Sequence, residues 1–500
     1  MHRIVLPALL AVGVCCSALA LNRTDADTAP AVRETLALQE AMQSAIQEAE
    51  PAVVCVLISR NGDYIKLGQT PPPDGSGKLG GFDARAARAR SPEPEDSQPD
   101  EVKKLDLKDP DNVPEAYGSG IVIDESGLVL TAEHLVRNAT KIYVRLPGGK
   151  GSYADVHAAD PRSDLAVLRL VDPVGKLKAI KLGDGGKLRK GQWVISLANP
   201  WAAGFRDGSP SASWGIVSNL RRRPAGPVNE LERIRPLHQH GILLQTDIRL
   251  NVGCSGGAIL DLKGELVGVS TPLPAVTTTD TPGGFAIPVD TGIKRIIEVL
   301  KRGEEVEYGF LGVQLMTNPE ANRGLNGGIL INGTVDASPA AAKGLQARDV
   351  IVSVNGIPIN DNDDLFVHVS AVLAGNEAKL EVLRNGLPRT VTVTLDKFNV
   401  YGKPIASRRP PPVRGLRVDY LSVLMQALDG KARPTAVSHG VIVREAADGS
   451  PAARVLKVND VITHVKGQPV ATPADFYKKI QGLTGPIELT LSNNEKVTLN

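Results

Sequence analysis

The chain of 500 residues is too long for one hydrophobic core and predicts roughly three domains. Apolar residues make up 42% and charged residues 22%, as in ordinary globular proteins, so most of the chain can fold. The formal net charge of +2 argues against a dedicated nucleic-acid binder and gives no broad attraction to anionic membranes.

The N-terminus has the three parts of a secretory signal. "MHRIVLPALLAVGVCCSALALN" begins with a basic residue, continues with an apolar run too short to span a bilayer, and contains Ala18-Leu19-Ala20, an A-x-A cleavage pattern. We predict that residues 1–20 are a cleaved signal; a buried core helix is the alternative. A lipoprotein site at Cys15 or Cys16 fits less well, because Val14 or Cys15 stands where a small residue is expected. No later run reaches membrane-spanning length, so the mature chain is expected in an exported compartment without a membrane span.

Removal of that signal leaves two cysteines, Cys55 and Cys254. Two cysteines provide neither a disulfide framework nor a zinc site, and neither C-x-x-C nor H-E-x-x-H occurs. A bridge between them stays open. No metal is expected.

The first half of the chain changes from helix to strands. Within an N-terminal helical segment, 21–50, apolar residues recur at helical spacing over 32–50 and stop at Pro51. A strand follows, and then residues 61–115, rich in Gly, Pro and charge, are predicted to be a mobile insertion. Beyond them, short apolar runs separated by turn residues, such as "GIVIDESGLVLTA" and "DLAVLRL", indicate a β-barrel or sandwich within a domain spanning 51–300.

The last 200 residues contain a repeat. "SPAAAKGLQARDVIVSVNGIPI" from Ser338 and "SPAARVLKVNDVITHVKGQPV" from Ser450 align with one gap, which predicts two copies of one small domain at 305–398 and 413–500. The proline-rich residues 399–412 suit a semi-rigid linker.

A possible nucleophile lies in "LNVGCSGGAILD", where Ser255 is surrounded by glycines directly before an apolar run. A serine needs a histidine base and a carboxylate that orients the imidazole. His134 follows a strand in "GLVLTAEHLV", and Asp164 precedes one in "ADPRSDLAVLRL". Taken singly, His134 could be a surface residue and Asp164 a helix cap or turn residue. Together, in the order His, Asp, Ser, they match one known arrangement of a catalytic triad.

Five sequence segments resemble the trypsin-like domain of the HtrA (Deg) family of exported serine proteases. They are "TAEH", "DPRSDLAVLRL", "WGIVS", "QTDIRLNVGCSGGAILDLKGELVGVST" and "GGFAIPVD". The two repeats are similar to the PDZ domains of that family. The resemblance implies a mainly β fold, with a chymotrypsin-like double β-barrel followed by two α+β PDZ domains. It further implies a location in the periplasm or cell envelope, and a homo-oligomer, a trimer or a multiple of trimers.

Carried over residue by residue, the resemblance makes Ser255 the nucleophile, His134 the general base and then acid, and Asp164 the orienting carboxylate. The backbone of Gly253, Cys254 and Ser255 would form the oxyanion hole, Cys254 contributing its N–H at most. The family commonly has Asn where Cys254 stands.

Two further departures from the family concern residues near the site. Ala132-Glu133 replaces the usual Asn-Asn, so Glu133 is expected to alter the local charge. His238 and His240 lie where the family has regulatory loops; without cysteines or an acidic cluster beside them, they are expected to be surface residues rather than metal ligands.

Substrate preference follows from the S1 positions. The residue six before the serine is Arg249, which disfavours a basic P1 side chain. Leu250, Pro272 and Leu273 match positions that line the family's S1 pocket, which suggests a small or medium aliphatic P1 residue.

A second candidate site lies in "YGFLGVQL", residues 308–315, which resembles the PDZ carboxylate-binding loop. The N–H groups of Phe310, Leu311 and Gly312 would receive a peptide's terminal carboxylate, and the peptide would add as a strand. The alternative is that Leu311 only fills the core. "RGLRVDYL" at 414–421 is a poorer match and is expected to serve oligomer contacts instead.

The sequence therefore predicts an exported endopeptidase acting on unfolded or damaged envelope proteins, with PDZ domains that bind C-terminal tails. No G-x-x-x-x-G-K-[ST] loop occurs, so the reaction is expected to be independent of ATP, with no cofactor. A chaperone with a misaligned triad is the main alternative, and a PDZ adaptor is the third.

Overall fold

The computed structural model describes residues 30–62, 106–112, 114–172, 175–222, 236–271, 283–315, 327–400, 402–409, 411–427 and 439–500. The predicted signal, 1–20, lies outside these ranges. The α-helices, labelled α1 to α8 in chain order, are Pro30–Ala49, Glu133–Val136, Thr291–Lys301, Pro339–Ala342, Asn362–Ser370, Leu421–Ala427, Pro451–Val455 and Pro473–Ile480. Among the described helices, none combines the length and apolar character needed to cross a membrane.

Six strands form the first barrel. They are β1 (Val53–Ser59), β2 (Ala116–Asp124), β3 (Leu128–Ala132), β4 (Lys141–Arg145), β5 (Gly151–Asp160) and β6 (Leu165–Leu170). Their order is β5-β4-β1-β2-β3-β6, and β6 pairs back onto β5. Strand β1, "VVCVLIS", is buried along its whole length, as its β-branched residues favour. Helix α1 packs Ala45 and Ala49 against this core.

Six more strands close the second barrel. They are β7 (Trp193–Ala198), β8 (Ser211–Arg222), β9 (Leu243–Thr246), β10 (Ala258–Leu260), β11 (Leu266–Thr271) and β12 (Gly284–Pro288). Their order is β10-β11-β12-β9-β8-β7. The prediction of a double β-barrel is confirmed. Asn199, after β7, donates its side-chain N–H to Val54 O of the first barrel at 3.0 Å. This hydrogen bond joins the two barrels.

The end of the predicted insertion packs against the first barrel. Leu107 is buried with Cys55, Leu57 and Tyr143, and Arg145 donates to the carbonyls of Leu107 and Lys108. Within the segment 61–115 predicted to be mobile, residues 106–112 therefore contact the barrel through one leucine and two carbonyls. Residues 63–105 lie outside the described ranges.

Two units of equal strand order follow α3. The first contains β13 (Gly309–Phe310), β14 (Val313–Leu315), β15 (Ile329–Thr334), β16 (Val350–Val354), β17 (Ile357–Pro358), β18 (Glu377–Arg384), β19 (Leu387–Thr394) and β20 (Asp396–Lys397). Its main sheet runs β14-β15-β16-β18-β19, with β17 on β16. After β21 (Ile405–Ala406), the second unit contains β22 (Leu416–Tyr420), β23 (Val441–Ala446), β24 (Val461–Val465), β25 (Gln468–Pro469), β26 (Ile487–Leu491) and β27 (Lys496–Leu499). Its sheet runs β22-β23-β24-β26-β27, with β25 on β24.

The proline-rich residues between the two units are attached to the first barrel. Strand β21 pairs with β5, and the hydroxyl of Ser407 lies 2.8 Å from His157 Nδ1. His157 is buried, and its Nε2 lies 3.1 Å from Lys301 O. The linker predicted at 399–412 is thus partly an edge strand, because Ile405 and Ala406 find an open strand edge on β5.

Candidate active site

His134, Asp164 and Ser255 meet between the two barrels. His134 Nδ1 lies 2.8 Å from Asp164 Oδ1, and His134 Nε2 lies 3.3 Å from Ser255 Oγ. His134 belongs to the short α2 after β3, and Asp164 ends the turn before β6. The structure therefore brings the three predicted side chains into one hydrogen-bonded row, which fits a nucleophile, a base and an orienting carboxylate.

The carboxylate of Asp164 has further partners that fix its direction. It accepts the backbone N–H of His134 at 3.0 Å and lies 3.4 Å from the hydroxyl of Thr271 in β11. The carbonyl of Asp164 also accepts the N–H of Glu133 at 3.0 Å. With Asp164 receiving Nδ1–H, the imidazole presents Nε2 to Ser255.

The charges around His134 favour its protonated form. Burial by itself would lower the pKa of His134, but the charge and hydrogen bond of Asp164 outweigh it, and the Glu133 carboxylate adds to their effect. The pKa therefore lies above its usual value. Burial also raises the pKa of Glu133, while the Arg137 guanidinium opposes that rise.

The backbone around Ser255 requires glycine at two positions. Gly253 has φ +95°, and a Cβ there would lie 2.3 Å from Asn199 O. Gly256 has φ +78°, and its Cβ would lie 2.4 Å from Ser119 O. Positive φ and close backbone approach together exclude other residues without distortion.

The N–H groups of Gly253 and Ser255 make no hydrogen bond within the described ranges, whereas that of Cys254 donates to Asn251 O at 3.0 Å. The prediction that Cys254 contributes its N–H to an oxyanion hole is therefore wrong, because a turn already uses that group. Two donors remain for an oxyanion.

Both barrels hold the serine loop through residues that the sequence analysis missed. Ser119 in β2 donates its hydroxyl to Gly253 O at 2.8 Å and its N–H to Ser255 O at 2.8 Å. Ser270 in β11 bonds its hydroxyl to Cys254 O and accepts the N–H of Gly256 through its carbonyl. Each lies in a short strand with no motif of its own, so only the pairing of the strands reveals them.

The predicted S1 residues are only partly within the described ranges. Leu250 is half-buried and packs over Gly284, where an added Cβ would lie 2.4 Å from Leu250 Cγ. Arg249 is exposed. Pro272 and Leu273 lie outside the described residues.

His240 is buried, not at the surface as the sequence analysis expected. Its Nδ1 lies 3.1 Å from Asp363 Oδ1, and its ring lies 5.1 Å from that of Phe366. Both partners belong to α5 of the first C-terminal unit, a contact 123 residues away along the chain. Within the described ranges, no group of three or more His, Cys, Asp or Glu side chains could hold a metal ion.

The predicted carboxylate-binding loop precedes β14, which is an edge strand. The N–H groups of Leu311 and Gly312 make no hydrogen bond within the described ranges, while Phe310 pairs with Asp396 in β13 and β20. Leu311 is itself buried in the core of this unit.

The second unit has an equivalent loop. Gly312 and Gly415 have φ of +79° and +82°, and a Cβ on either would meet a serine, Ser338 or Ser450, at 2.2 Å. The N–H of Leu416, which corresponds to Val313, donates to Val413 O at 2.9 Å. The N–H groups of Arg414 and Gly415, which correspond to those of Leu311 and Gly312, make no hydrogen bond within the described ranges, so these donors do not distinguish the two loops.

The edge strand of the second unit differs from that of the first, because a tyrosine covers it. Val418 in β22 donates its N–H to the hydroxyl of Tyr477 in α8 at 3.2 Å. Counted from the helix caps Asp361 and Thr472, Phe366 is the equivalent of Tyr477 in the first unit, where it contacts His240 instead. The two edges therefore differ in access.

Comparisons with known proteins agree with this architecture. A family model described as trypsin-like peptidase domain matches residues 118–269, and one described as PDZ domain matches residues 309–395. Two proteins named "Probable periplasmic serine endoprotease DegP-like" are similar over most of their length. The protein from Pseudomonas putida is 30% identical over 448 residues, covering 86% of each chain. The protein from Pseudomonas fluorescens is 32% identical over 371 residues, covering 72% of this chain and 73% of that protein.

A solved structure titled "HtrA-type protease AlgW with tripeptide" is 24% identical with a TM-score of 0.49, and the match covers 74% of this chain and 98% of that one. Both Pseudomonas proteins are similar over more than two thirds of this chain. The chain belongs to the family of DegP-like periplasmic serine endoproteases.

Proposed function

We propose that the protein hydrolyses unfolded or damaged envelope polypeptides, with Ser255 as nucleophile, His134 as general base and then acid, and Asp164 as the orienting carboxylate. The observation that supports these roles is the row of contacts in which His134 lies 2.8 Å from Asp164 and 3.3 Å from Ser255. A serine hydroxyl becomes a competent nucleophile when such a base can take its proton.

In the reaction, Ser255 Oγ attacks the scissile carbonyl while His134 Nε2 takes the hydroxyl proton, giving a tetrahedral oxyanion. The N–H groups of Gly253 and Ser255 stabilise that oxyanion. His134 then donates the proton to the leaving amine, and water releases the acyl group from Ser255 by the same steps.

The test is cleavage of an unfolded casein substrate by the mature protein and by Ser255→Ala, with mass spectrometry of the products. Ser209→Ala is the matched control, since the hydroxyl of Ser209 contacts Glu50 and not the site. We expect cleavage to be lost only in Ser255→Ala. Cleavage that persists in that variant would refute the assignment. No cleavage by the unaltered protein, even with added C-terminal peptides, would favour a chaperone.

The position of Leu250 supports a preference for small or medium aliphatic P1 residues. Its half-buried side chain over Gly284 offers an apolar surface, and the other predicted S1 residues are apolar in sequence. The same mass spectrometry reports the P1 residue of each product. A profile dominated by Lys or Arg would refute this preference.

We further propose that both C-terminal units are PDZ domains and that the first binds C-terminal tails. The unbonded N–H groups of Leu311 and Gly312 suit a carboxylate, and β14 leaves an edge to which a peptide strand can add. In the second unit, the N–H of Val418 on the edge strand already donates to Tyr477, which opposes the addition of a peptide strand there.

The test compares Gly312→Ala with Gly415→Ala in an otherwise Ser255→Ala protein. Both changes place a Cβ at positive φ against a serine at 2.2 Å, so the local damage is matched. A labelled peptide ending in apolar residues, and its C-terminal amide, report binding by anisotropy. We expect Gly312→Ala alone to abolish binding, and the amide not to bind. Equal loss in both variants, or equal binding of the amide, would contradict the proposal.

We also propose that the protein forms a homo-oligomer, a trimer or a multiple of trimers. The side chains of Trp201 and Trp214 are 63% and 59% exposed, and such apolar surface is typical of contacts between subunits. Light scattering coupled to size-exclusion chromatography measures the mass directly. A monomer at micromolar concentration would contradict the proposal.

A further inference from the structure

The turn that carries Asp164 is shaped by another carboxylate. Asp164 has φ +59°, a left-handed conformation that is unfavourable for a residue with a side chain. Asp160, at the start of the turn, accepts the N–H groups of Ser163 at 2.9 Å and Arg162 at 3.3 Å. These bonds close the turn, so the direction of Asp164 depends on Asp160.

Asp160 in turn bonds to a residue of the PDZ region. The hydroxyl of Tyr308 donates to Asp160 Oδ2 across 148 positions of sequence, and both side chains are buried. Tyr308 directly precedes β13 and is the first residue of the predicted carboxylate-binding loop, and its carbonyl accepts the N–H of Phe398 at 2.7 Å. The shape of the turn is therefore linked to the contact between the first PDZ domain and the first barrel.

Arg162 provides a second link from the same turn. Its guanidinium lies 4.0 Å from the ring centre of Phe398 and 5.1 Å from that of Tyr308, and donates to the hydroxyl of Ser370 at 2.8 Å. Ser370 is the last residue of α5. The Arg162 carbonyl accepts the N–H of Leu237, in the turn that leads to His240.

Burial of the Arg162 guanidinium is unfavourable in free energy. The residue is 5% exposed, no carboxylate within the described ranges forms an ion pair with it, and its Nε has no hydrogen-bond partner there. Burial of a cation is unfavourable; the charge of Asp160 favours the cation without forming an ion pair, and the two ring faces and one hydroxyl add only partial compensation. The two rings and the hydroxyl all come from the PDZ region, so this compensation is present only while that domain is docked.

We propose that Asp160, Arg162 and Tyr308 are positioning residues through which the docked PDZ domain holds Asp164 in its productive orientation. They act through Asp164 and do not touch substrate. When Tyr308 and Ser370 move away, Asp160 and Arg162 lose their partners and the left-handed turn relaxes. The inference rests on the proposed triad of His134, Asp164 and Ser255.

The test uses the full chain with Tyr308→Phe, which removes one hydroxyl, and with Ser370→Ala, which removes the partner of Arg162. Tyr153→Phe is the matched control, because it also removes a tyrosine–aspartate bond, to Asp106 at 3.1 Å, on the exposed surface of the first barrel. Active sites are counted with a fluorophosphonate that reacts with Ser255. kcat and KM per counted site are then measured against pH.

For both test variants we expect kcat per site to fall about tenfold while KM stays within about twofold, since only the orientation of the base changes. The acid limb of kcat/KM should move to lower pH, because His134 loses part of the influence of Asp164 while Glu133 and Arg137 stay in place. A purely structural role would lower only the number of counted sites.

Unchanged kcat per site and an unchanged acid limb in both variants would overturn the inference. If Tyr308→Phe does not fold, Ser370→Ala alone decides. Ser255→Ala distinguishes failure of the triad from failure of the positioning role. Cleavage that persists in Ser255→Ala refutes the triad. If Ser255→Ala loses cleavage while Tyr308→Phe and Ser370→Ala keep their kcat per site and acid limb, only the positioning role is refuted.

Discussion

The carboxylate of Glu133 accepts the Nε–H of Arg137, the residue after α2, at 3.1 Å and lies buried beside His134. This pair places an anion next to the proposed base in addition to Asp164. Since the Glu133 charge raises the pKa of His134 and the Arg137 charge lowers it, the balance of the pair tunes the pH at which the base becomes neutral.

Glu133→Gln should move the acid limb of kcat/KM to lower pH. His134 must be neutral to take the proton of Ser255, so activity is gained as the pH rises through its pKa. Removing the Glu133 charge lowers that pKa, and the plateau kcat should stay within about threefold. Kinetics on a chromogenic peptide across pH measure the limb.

Glu125→Gln serves as the control, because Glu125 is exposed in the turn after β2. Its acid limb should match that of the unaltered protein. A limb that stays in place, or moves to higher pH, in Glu133→Gln would show that Glu133 does not act on His134 through its charge.

Gly253→Ala should reduce kcat by about 100-fold with a small change in KM, the effect typical of a lost oxyanion donor. The added Cβ would lie 2.3 Å from Asn199 O, which forces the loop and its N–H out of place. Steady-state kinetics per titrated site measure the effect. Gly148→Ala is the matched control, since Gly148 has φ +91° and open space around its Cβ. Equal losses in both would attribute the effect to backbone strain in general.

The thiols of Cys55 and Cys254 should not react with an aromatic disulfide reagent in the folded protein. Both are free and buried, and burial raises the pKa of Cys55 to about 12 and that of Cys254 to about 11. The reactive thiolate is therefore scarce at neutral pH. Spectrophotometric titration of the mature chain should detect both thiols only after denaturation with guanidinium chloride. Ser126→Cys, at an exposed turn, provides a positive control. A fast reaction of the folded protein that lacks this substitution would contradict the prediction.

Lys397→Met should destabilise the contact between the two C-terminal units by about 2 kcal/mol, because it leaves carboxylates without their cation. The buried Lys397 ammonium lies 2.8 Å from Glu305 and 3.2 Å from Asp419, in β22 of the second unit. Urea unfolding of the full chain, followed by far-UV circular dichroism, measures the change. Lys379→Met removes an exposed pair with Glu381 and should have little effect. Equal effects of both changes would argue against a special role of Lys397.

The sequence by itself predicted a domain of short strands, a barrel or a sandwich, together with the repeat and the candidate nucleophile, base and carboxylate. Alternating and continuous apolar runs between turn residues predict strands because the chain encodes this pattern in near neighbours. The glycines around Ser255 likewise predict a tight backbone turn, because this signal too lies in neighbouring residues. Ser338 and Ser450, the first residues of the repeat, each cap a helix in the structure, a role readable from local sequence.

The tertiary structure alone decided which groups have partners. The N–H of Cys254 is used by Asn251, His240 is buried against α5, and Tyr477 covers the edge of β22. None of these contacts could be predicted from spacing, because each depends on how separate elements pack. The bond from Tyr308 to Asp160 joins positions 148 residues apart. Local propensity selects strands and turns, but only packing of the whole chain brings such residues together.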